Sequence, residues 1–162
     1  MENNIVEINH LDFGIEKFVI TEEAYNLYKS DSGIWEFTLS FKTSKSIDRA
    51  KELEVLVDAE PYFEATAILS NNELKLNRGN IITQKQGYDY NRDENLSIFY
   101  YFDYNSIEEL EIELLEVTKD FIIANVKGKT VINGSDGNNP DSELSISKTK
   151  FMLDKKLKRS FS

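Results

Sequence analysis

There is no cysteine in this chain. Disulfide frameworks, thiolate nucleophiles and cysteine-held zinc or iron–sulfur sites are therefore excluded. Histidine is almost as scarce. His10 is the only one, so a histidine-rich metal site is excluded and any Ser–His–Asp arrangement would have to use it. It stands in "EINHLDFG" near the N-terminus and is expected to be a surface or edge-strand histidine. Only 2 prolines and 7 glycines occur, too few for a collagen-like or proline-rich linker. The patterns G-x-x-x-x-G-K-[ST], G-x-G-x-x-G and G-x-S-x-G are missing, so nothing recommends nucleotide binding or hydrolase chemistry of those kinds. Long apolar runs are missing too. Stretches such as "IFYYF" (98–102) are far too short to span a bilayer. "MENNIVEINH" has neither the basic region nor the apolar stretch of a secretory leader.

Positive charge is also in short supply. Lys plus Arg is 19 against 29 for Asp plus Glu, a net charge of −10; four of the positive charges lie in the last eight residues, "KKLKRSFS", which leaves −14 on residues 1–154. Such a body repels phosphate backbones and anionic membrane surfaces, so neither nucleic acid nor membrane is an expected partner. It suits a cytoplasmic protein, and equally one that docks on a basic protein partner. The basic tail, Lys155, Lys156, Lys158 and Arg159, is too short and isolated to define a nucleic-acid site and reads as a solvent-exposed end.

What the chain has in plenty is aromatic and β-forming residues. Hydrophobic residues make up 40%, with 10 Phe and 8 Tyr, enough for a sizeable core. The dominant period is two. In "IWEFTLSFK" (34–42), Trp35, Phe37, Leu39 and Phe41 alternate with Glu36, Thr38, Ser40 and Lys42, the pattern of a half-buried strand. Strands are likewise expected at 12–20, 23–29, 51–59, 61–69, 120–128, 143–148 and 150–156. "LSIFYYFDY" (96–104) is aromatic on both faces and suits a central strand. Turn signals separate these runs at 29–33, 70–73, 77–80, 90–95 and 118–120. Two segments compete for helix. "SIDRAKEL" (46–53) opens with Ser46 and suits one or two helical turns. "NSIEELEIELLEV" (105–117) carries a capping-box match at Ser106 and Glu109. Its alternation of Glu109, Glu111 and Glu113 with Leu110, Ile112 and Leu114 favours a turn at 105–108 followed by a strand, hairpinned through "TKD" to 120–127.

The fold class that follows is all-β: an antiparallel β-sandwich, or alternatively a flattened β-barrel, with one or two short helices capping it. Residues 1–154 form a single β domain and 155–162 a basic C-terminal tail.

Three groups of residues carry the functional expectations. Glu109, Glu111 and Glu113 form the densest acidic row; on a strand they project from one face at about 7 Å spacing. They repel one another unless lysines on a neighbouring strand stand opposite, and they read as a negative patch for a basic partner. Tyr88, Asp89, Tyr90, Asp93 and Glu94 in "YDYNRDEN" read as a partner- or sugar-binding loop. The third group is the polar stretch from Asn133 to Glu143. Counted from Asp136 as an EF-hand, it places Pro140 at position 5, Asp141 at position 6 and Ser147 at position 12, so the calcium motif fails. "NGS" (133–135) and "NLS" (95–97) match the glycosylation pattern and, with no secretory leader expected, are expected to be chance matches. An exposed, mobile connection between two adjacent strands is expected there.

No catalytic residue, metal ligand or cofactor is assigned. The leading expectation is a non-enzymatic, acidic, cytoplasmic binding protein acting by protein–protein contact, of the immunity or antitoxin type that occludes a basic toxin. The alternatives are a carbohydrate- or small-ligand-binding sandwich with a face of Tyr88, Tyr90, Tyr100, Tyr101 and Tyr104, and an enzyme using paired carboxylates.

Overall fold

The fold is described from a computed structural model, over residues 4–10, 14–48, 60–69, 76–101, 103–131 and 142–157. Twelve strands follow one another: β1 (Ile5–His10), β2 (Gly14–Lys29), β3 (Trp35–Asp48), β4 (Tyr62–Leu69), β5 (Ile81–Gln84), β6 (Tyr88–Asp89), β7 (Glu94–Asn95), β8 (Ile98–Tyr101), β9 (Asp103–Ser106), β10 (Glu108–Val117), β11 (Phe121–Thr130) and β12 (Ser142–Leu153). Ten of them form one sheet in the order β5-β10-β11-β12-β1-β2-β3-β4-β8-β9, and β6 and β7 form a separate hairpin. Pairing is antiparallel except for a short parallel contact, Met152↔Ala24 and Leu153↔Tyr25, where β12 meets β2 beyond the end of β1.

The sheet curls over on itself as a sandwich does, without closing into a barrel. Bulges supply the bend. Register shifts interrupt β2 against β3 between Thr21 and Ala24, β10 against β11 between Glu108 and Glu111, and β11 against β12 between Ala124 and Val126. Glu22, Glu109 and Lys148, each at one of these shifts, have left-handed φ of 53°, 50° and 46°. An extra residue on one strand bends it and sharpens its twist. Side chains rather than a ladder then bridge the approaching ends. Gln84 Oε1 accepts the Ile68 amide at 3.0 Å, the Thr130 hydroxyl donates to Ser106 O at 3.0 Å, and the Tyr101 hydroxyl donates to Glu16 Oε1 at 2.7 Å.

The core lies between the two halves of the folded sheet. Phe37, Leu39 and Phe41 of β3, Phe63 of β4, Phe99 of β8, Ile112 and Leu114 of β10 and Phe151 of β12 are fully buried there. Phe41 stacks on Phe63 with centroids 4.6 Å apart. Each such side chain contributes about 1.5–3 kcal/mol of burial free energy.

Several expectations need correction. No helix occurs among the described residues: Ser46–Asp48 continue β3, and 49–59, including the strand expected at 51–59, lie outside the described residues. Of the segments expected as separate strands at 12–20 and 23–29, residues 14–20 and 23–29 belong to the single bulged strand β2, with 12 and 13 outside the described residues. Residues 143–148 and 150–153 belong to β12, which stops at Leu153, so 154–156 are not strand. The run 96–104 is two short strands, β8 and β9, folded back so that Tyr101 pairs with Asp103. The pair sits at one end of the sheet order, because bending after Tyr101 leaves each arm only four residues long. His10 is 3% exposed. Its strand is flanked on both sides, by β12 and β2, and the alternation of β1 turns its side chain inward with Val6 and Ile8. By contrast, 108–117 is a strand hairpinned through Thr118–Asp120 to β11, as its glutamate alternation indicates. The connection at 132–141 lies outside the described residues. The strands that flank it pair directly, with Thr130 opposite Ser142. Of the basic tail, Lys155 and Lys156 sit in a turn after β12, and 158–162 lie outside.

Candidate functional site

Strand register builds a site on the outer face of β3, β4, β8 and β9. One row runs Lys42–Tyr62–Tyr100–Tyr104 and the next Ser40–Glu64–Ile98–Ser106; beyond them Thr38 faces Thr66 and Glu36 faces Ile68. The opposite residues of β3, Phe37, Leu39 and Phe41, are in the core, so β3 is buried on both faces over this stretch. The polar side is satisfied locally. The Thr38 and Thr66 hydroxyls are 3.0 Å apart, and Ser97 Oγ accepts the Thr66 amide at 3.0 Å and donates to Thr66 O at 3.2 Å.

The row of three tyrosines ends at the sheet edge. Tyr100 and Tyr104 have centroids 5.0 Å apart with a 54° tilt, and they are 37% and 58% exposed. The Tyr62 hydroxyl donates to Glu64 Oε2 at 2.8 Å. Glu64 is 2% exposed, so it stands as a buried acceptor at the foot of the row. Lys42, at the other end, pairs with Glu22 at 3.1 Å.

The β6–β7 hairpin reaches the Glu36 end of this face. Its anchor is Arg92, whose guanidinium reaches Glu36 at 3.3 Å, Glu94 at 3.4 Å and Asp89 at 3.5 Å. Asp89 Oδ1 also accepts the amides of Asn91 and Arg92, which fixes the turn. The Tyr88 hydroxyl donates to Asp93 Oδ1. That bond, followed by partial desolvation and the Asp93 charge, pushes the Tyr88 hydroxyl above its ordinary range. Tyr88 and Tyr90 meet edge to face at 5.0 Å, and Tyr90 is 77% exposed. Of the five hairpin residues singled out from sequence, Asp89 and Glu94 thus hold Arg92, Asp93 holds Tyr88, and Tyr90 is the one presented to solvent.

Glu109, Glu111 and Glu113 lie on a different part of the surface, the outer side of β10. Lysines and an amide stand against them on β11. Lys129 Nζ is 2.8 Å from Glu109, Lys127 is the register partner of Glu111, and Asn125 Nδ2 donates to Glu113 at 2.8 Å. The hydrogen bond and charge of Lys129 hold the Glu109 carboxyl below its usual range, and Glu109 holds the Lys129 ammonium above its own. Glu109, Glu111, Lys127 and Lys129, with Glu143 and Ser145 of β12, line a groove of about 480 Å³. Its charge is mixed rather than uniformly negative. Lys127 and Lys129, not singled out from the sequence, alternate behind the Thr118–Asp120 turn, and that alternation is the signal in the sequence that carries this pairing. The two patches touch at one seam: the Gly87 amide donates to Glu108 Oε2 and the Glu109 amide to Lys85 O, both at 2.8 Å.

Tyr101, expected with the other tyrosines, points to the opposite face. It is 3% exposed and packs against Phe18 and Phe99 in the core. Glu36 and Glu64 share the outer face but stand four register steps apart, roughly 13 Å along the strands. That exceeds the ~5–9.5 Å over which glycosidase carboxylates cooperate. Among the described residues no three His, Asp or Glu side chains are grouped to hold a metal ion, and no helix is long and apolar enough to cross a membrane. No family model, no curated protein and no solved structure matches this chain.

Proposed function

We propose that this protein is a non-enzymatic, acidic binding protein of the cytoplasm that acts by protein–protein contact, of the immunity or antitoxin type that occludes a basic toxin such as a nuclease. The observation that carries this reading is the in-register row Tyr62–Tyr100–Tyr104 beside the carboxylate of Glu64. Tyrosine supplies large amphipathic contact area at little conformational cost, which is why it is enriched in protein interfaces. The surrounding face holds Glu22, Glu36, Glu64, Asp89, Asp93 and Glu94 against Lys42 and Arg92. The excess of carboxylates favours a partner rich in lysine and arginine and speeds its approach. The mixed charge beside Glu109 makes the β10 row the weaker candidate for the contact.

The test is a pull-down from the native host with the wild-type chain as bait, repeated with Tyr100→Ala/Tyr104→Ala and with charge reversal at Glu109, Glu111 and Glu113. A basic protein retained by the wild type and by the charge-reversed bait, and lost by the tyrosine variant, supports the reading. Capture of no basic protein, or capture indifferent to the tyrosines, refutes it. The tilted Tyr100–Tyr104 pair also favours a second reading, stacking on a sugar ring. That reading predicts retention on neutral oligosaccharides that salt does not weaken.

A further inference from the structure

The two ends of the core differ. At one end the inward positions are polar: Thr130, Ser142 and His10 follow one another across β11, β12 and β1, with Glu16 and Tyr101 beside them, all buried. At the other end they are aliphatic and only half-buried. Leu27 of β2, Val117 of β10, Leu153 of β12 and Leu76 all pack against the core, and together they line a groove of about 510 Å³. Tyr25 forms part of its lining. Lys155 is the only charged side chain among the described residues that line it.

We infer that this open end is a binding site for a single aliphatic chain carrying an anionic head group. The volume falls within the ~300–1,000 Å³ of small-molecule sites, which are mostly apolar with a few placed polar groups. Half-exposed aliphatic side chains continuous with a core favour an apolar occupant that extends that core. Lys155 is the one cation among the described lining residues and meets the head group at the rim, and the Asp120 charge raises the Tyr25 hydroxyl less than its burial does. The rim is held by backbone bonds on both sides. Leu153 N donates to Asp120 O at 2.8 Å and Asp154 N to Tyr25 O at 2.9 Å, while the 77–80 turn is tied to β10 through Gly79 N to Leu114 O and Leu114 N to Asn80 O. The Asn26 side-chain amide donates to Asp154 O at 2.8 Å and fixes the start of the segment that carries Lys155. The groove is therefore pre-formed, and its site is separate from the tyrosine face.

The experiment titrates the full chain with 11-(dansylamino)undecanoic acid and follows its fluorescence, then displaces the probe with hexanoate, octanoate, decanoate and octan-1-ol. Saturation at one equivalent is expected, with affinity rising about fourfold per methylene. Val117→Trp, which fills the groove, abolishes binding. Lys155→Met weakens octanoate about threefold, the scale of an exposed ion pair, and leaves octan-1-ol unchanged. Because Lys155 is exposed, this second variant remains informative if the first fails to fold. Absence of saturable binding overturns the inference. So does binding indifferent to both substitutions, or self-association of the chain through this surface that excludes the probe.

Discussion

The guanidinium of Arg92 stands 3.3 Å from the carboxylate of Glu36, 56 residues earlier in the chain, and the Glu36 side chain is only 5% exposed. Removing one partner of a buried pair leaves the other charge uncompensated. Arg92→Met should cost about 2 kcal/mol, less than for a fully buried pair because the arginine is 31% exposed. Arg92→Met/Glu36→Leu should recover the part of that loss that belongs to the buried Glu36 charge, while Asp89 and Glu94 still lose their contact with the arginine. Urea unfolding of the four species in the double-mutant cycle measures it; equal losses in the single and double variants would show that the pair does not anchor the hairpin.

That pair also marks where the sequence stops being informative. The alternation in Trp35–Phe41 made β3 legible and correctly assigned Phe37, Leu39 and Phe41 to the core. The same alternation assigns Glu36, Thr38 and Ser40 to solvent, yet all three are buried. The period of a strand records one covered face; at Glu36 the second cover is Arg92 of the β6–β7 hairpin, a contact between distant residues. The tyrosine row depends on register as well. Tyr100 and Tyr104 are legible as aromatics, but only the fold-back after Tyr101 sets them opposite each other, while alternation along β8 sends Tyr101 to the core with Phe99. On β10, by contrast, both the strand and its lysine partners follow from alternation across one short turn.

The Glu109–Lys129 pair predicts a pH signature. Lys129 holds the Glu109 carboxyl below its ordinary range and is itself held above its own. A carboxylate depressed on folding contributes stability that is present above its unfolded value and lost as pH falls through the lowered folded value. A raised lysine contributes stability that is present below its unfolded value and lost as pH rises through the folded one. The pair therefore acts across the neutral range and fades at both extremes. Lys129→Met should return the Glu109 titration, followed by carboxyl NMR, toward the usual glutamate range. An unmoved midpoint would mean that Lys129 does not set it.

Ile107 is fully buried and two glycines press on it in different ways. A Cβ at Gly128 would lie 2.6 Å from Ile107 Cγ2, whereas a Cβ at Gly87 would lie 2.5 Å from the Ile107 carbonyl oxygen and 2.8 Å from its amide nitrogen. Both alanine substitutions should destabilise, by about 1–3 kcal/mol each. Only the first clash is with a side chain that can be trimmed. In an Ile107→Ala background, Gly128→Ala should become nearly neutral while Gly87→Ala keeps its cost. Thermal unfolding of the single and double variants separates the two cases, and equal relief at both positions would contradict the geometry.

The last prediction concerns the connection between β11 and β12. Thr130 and Ser142 are register partners at the end of a ladder that runs back to Phe121 and Met152, so the two chain ends are already at hairpin distance. Eleven residues, 131–141, join them, where a tight turn needs far fewer. The entropic cost of closing a loop grows with the logarithm of its length. Replacing 131–141 by a four-residue turn containing Asn-Gly should therefore leave the fold intact and raise its stability by about 1 kcal/mol. Urea unfolding reads the change, and amide exchange of Val126 and Leu144 reports whether the β11–β12 ladder survives. A loss of stability, or of protection at those amides, would mean that the connection itself contributes contacts to the folded state. In that case its length is kept for more than spanning two strands that already touch.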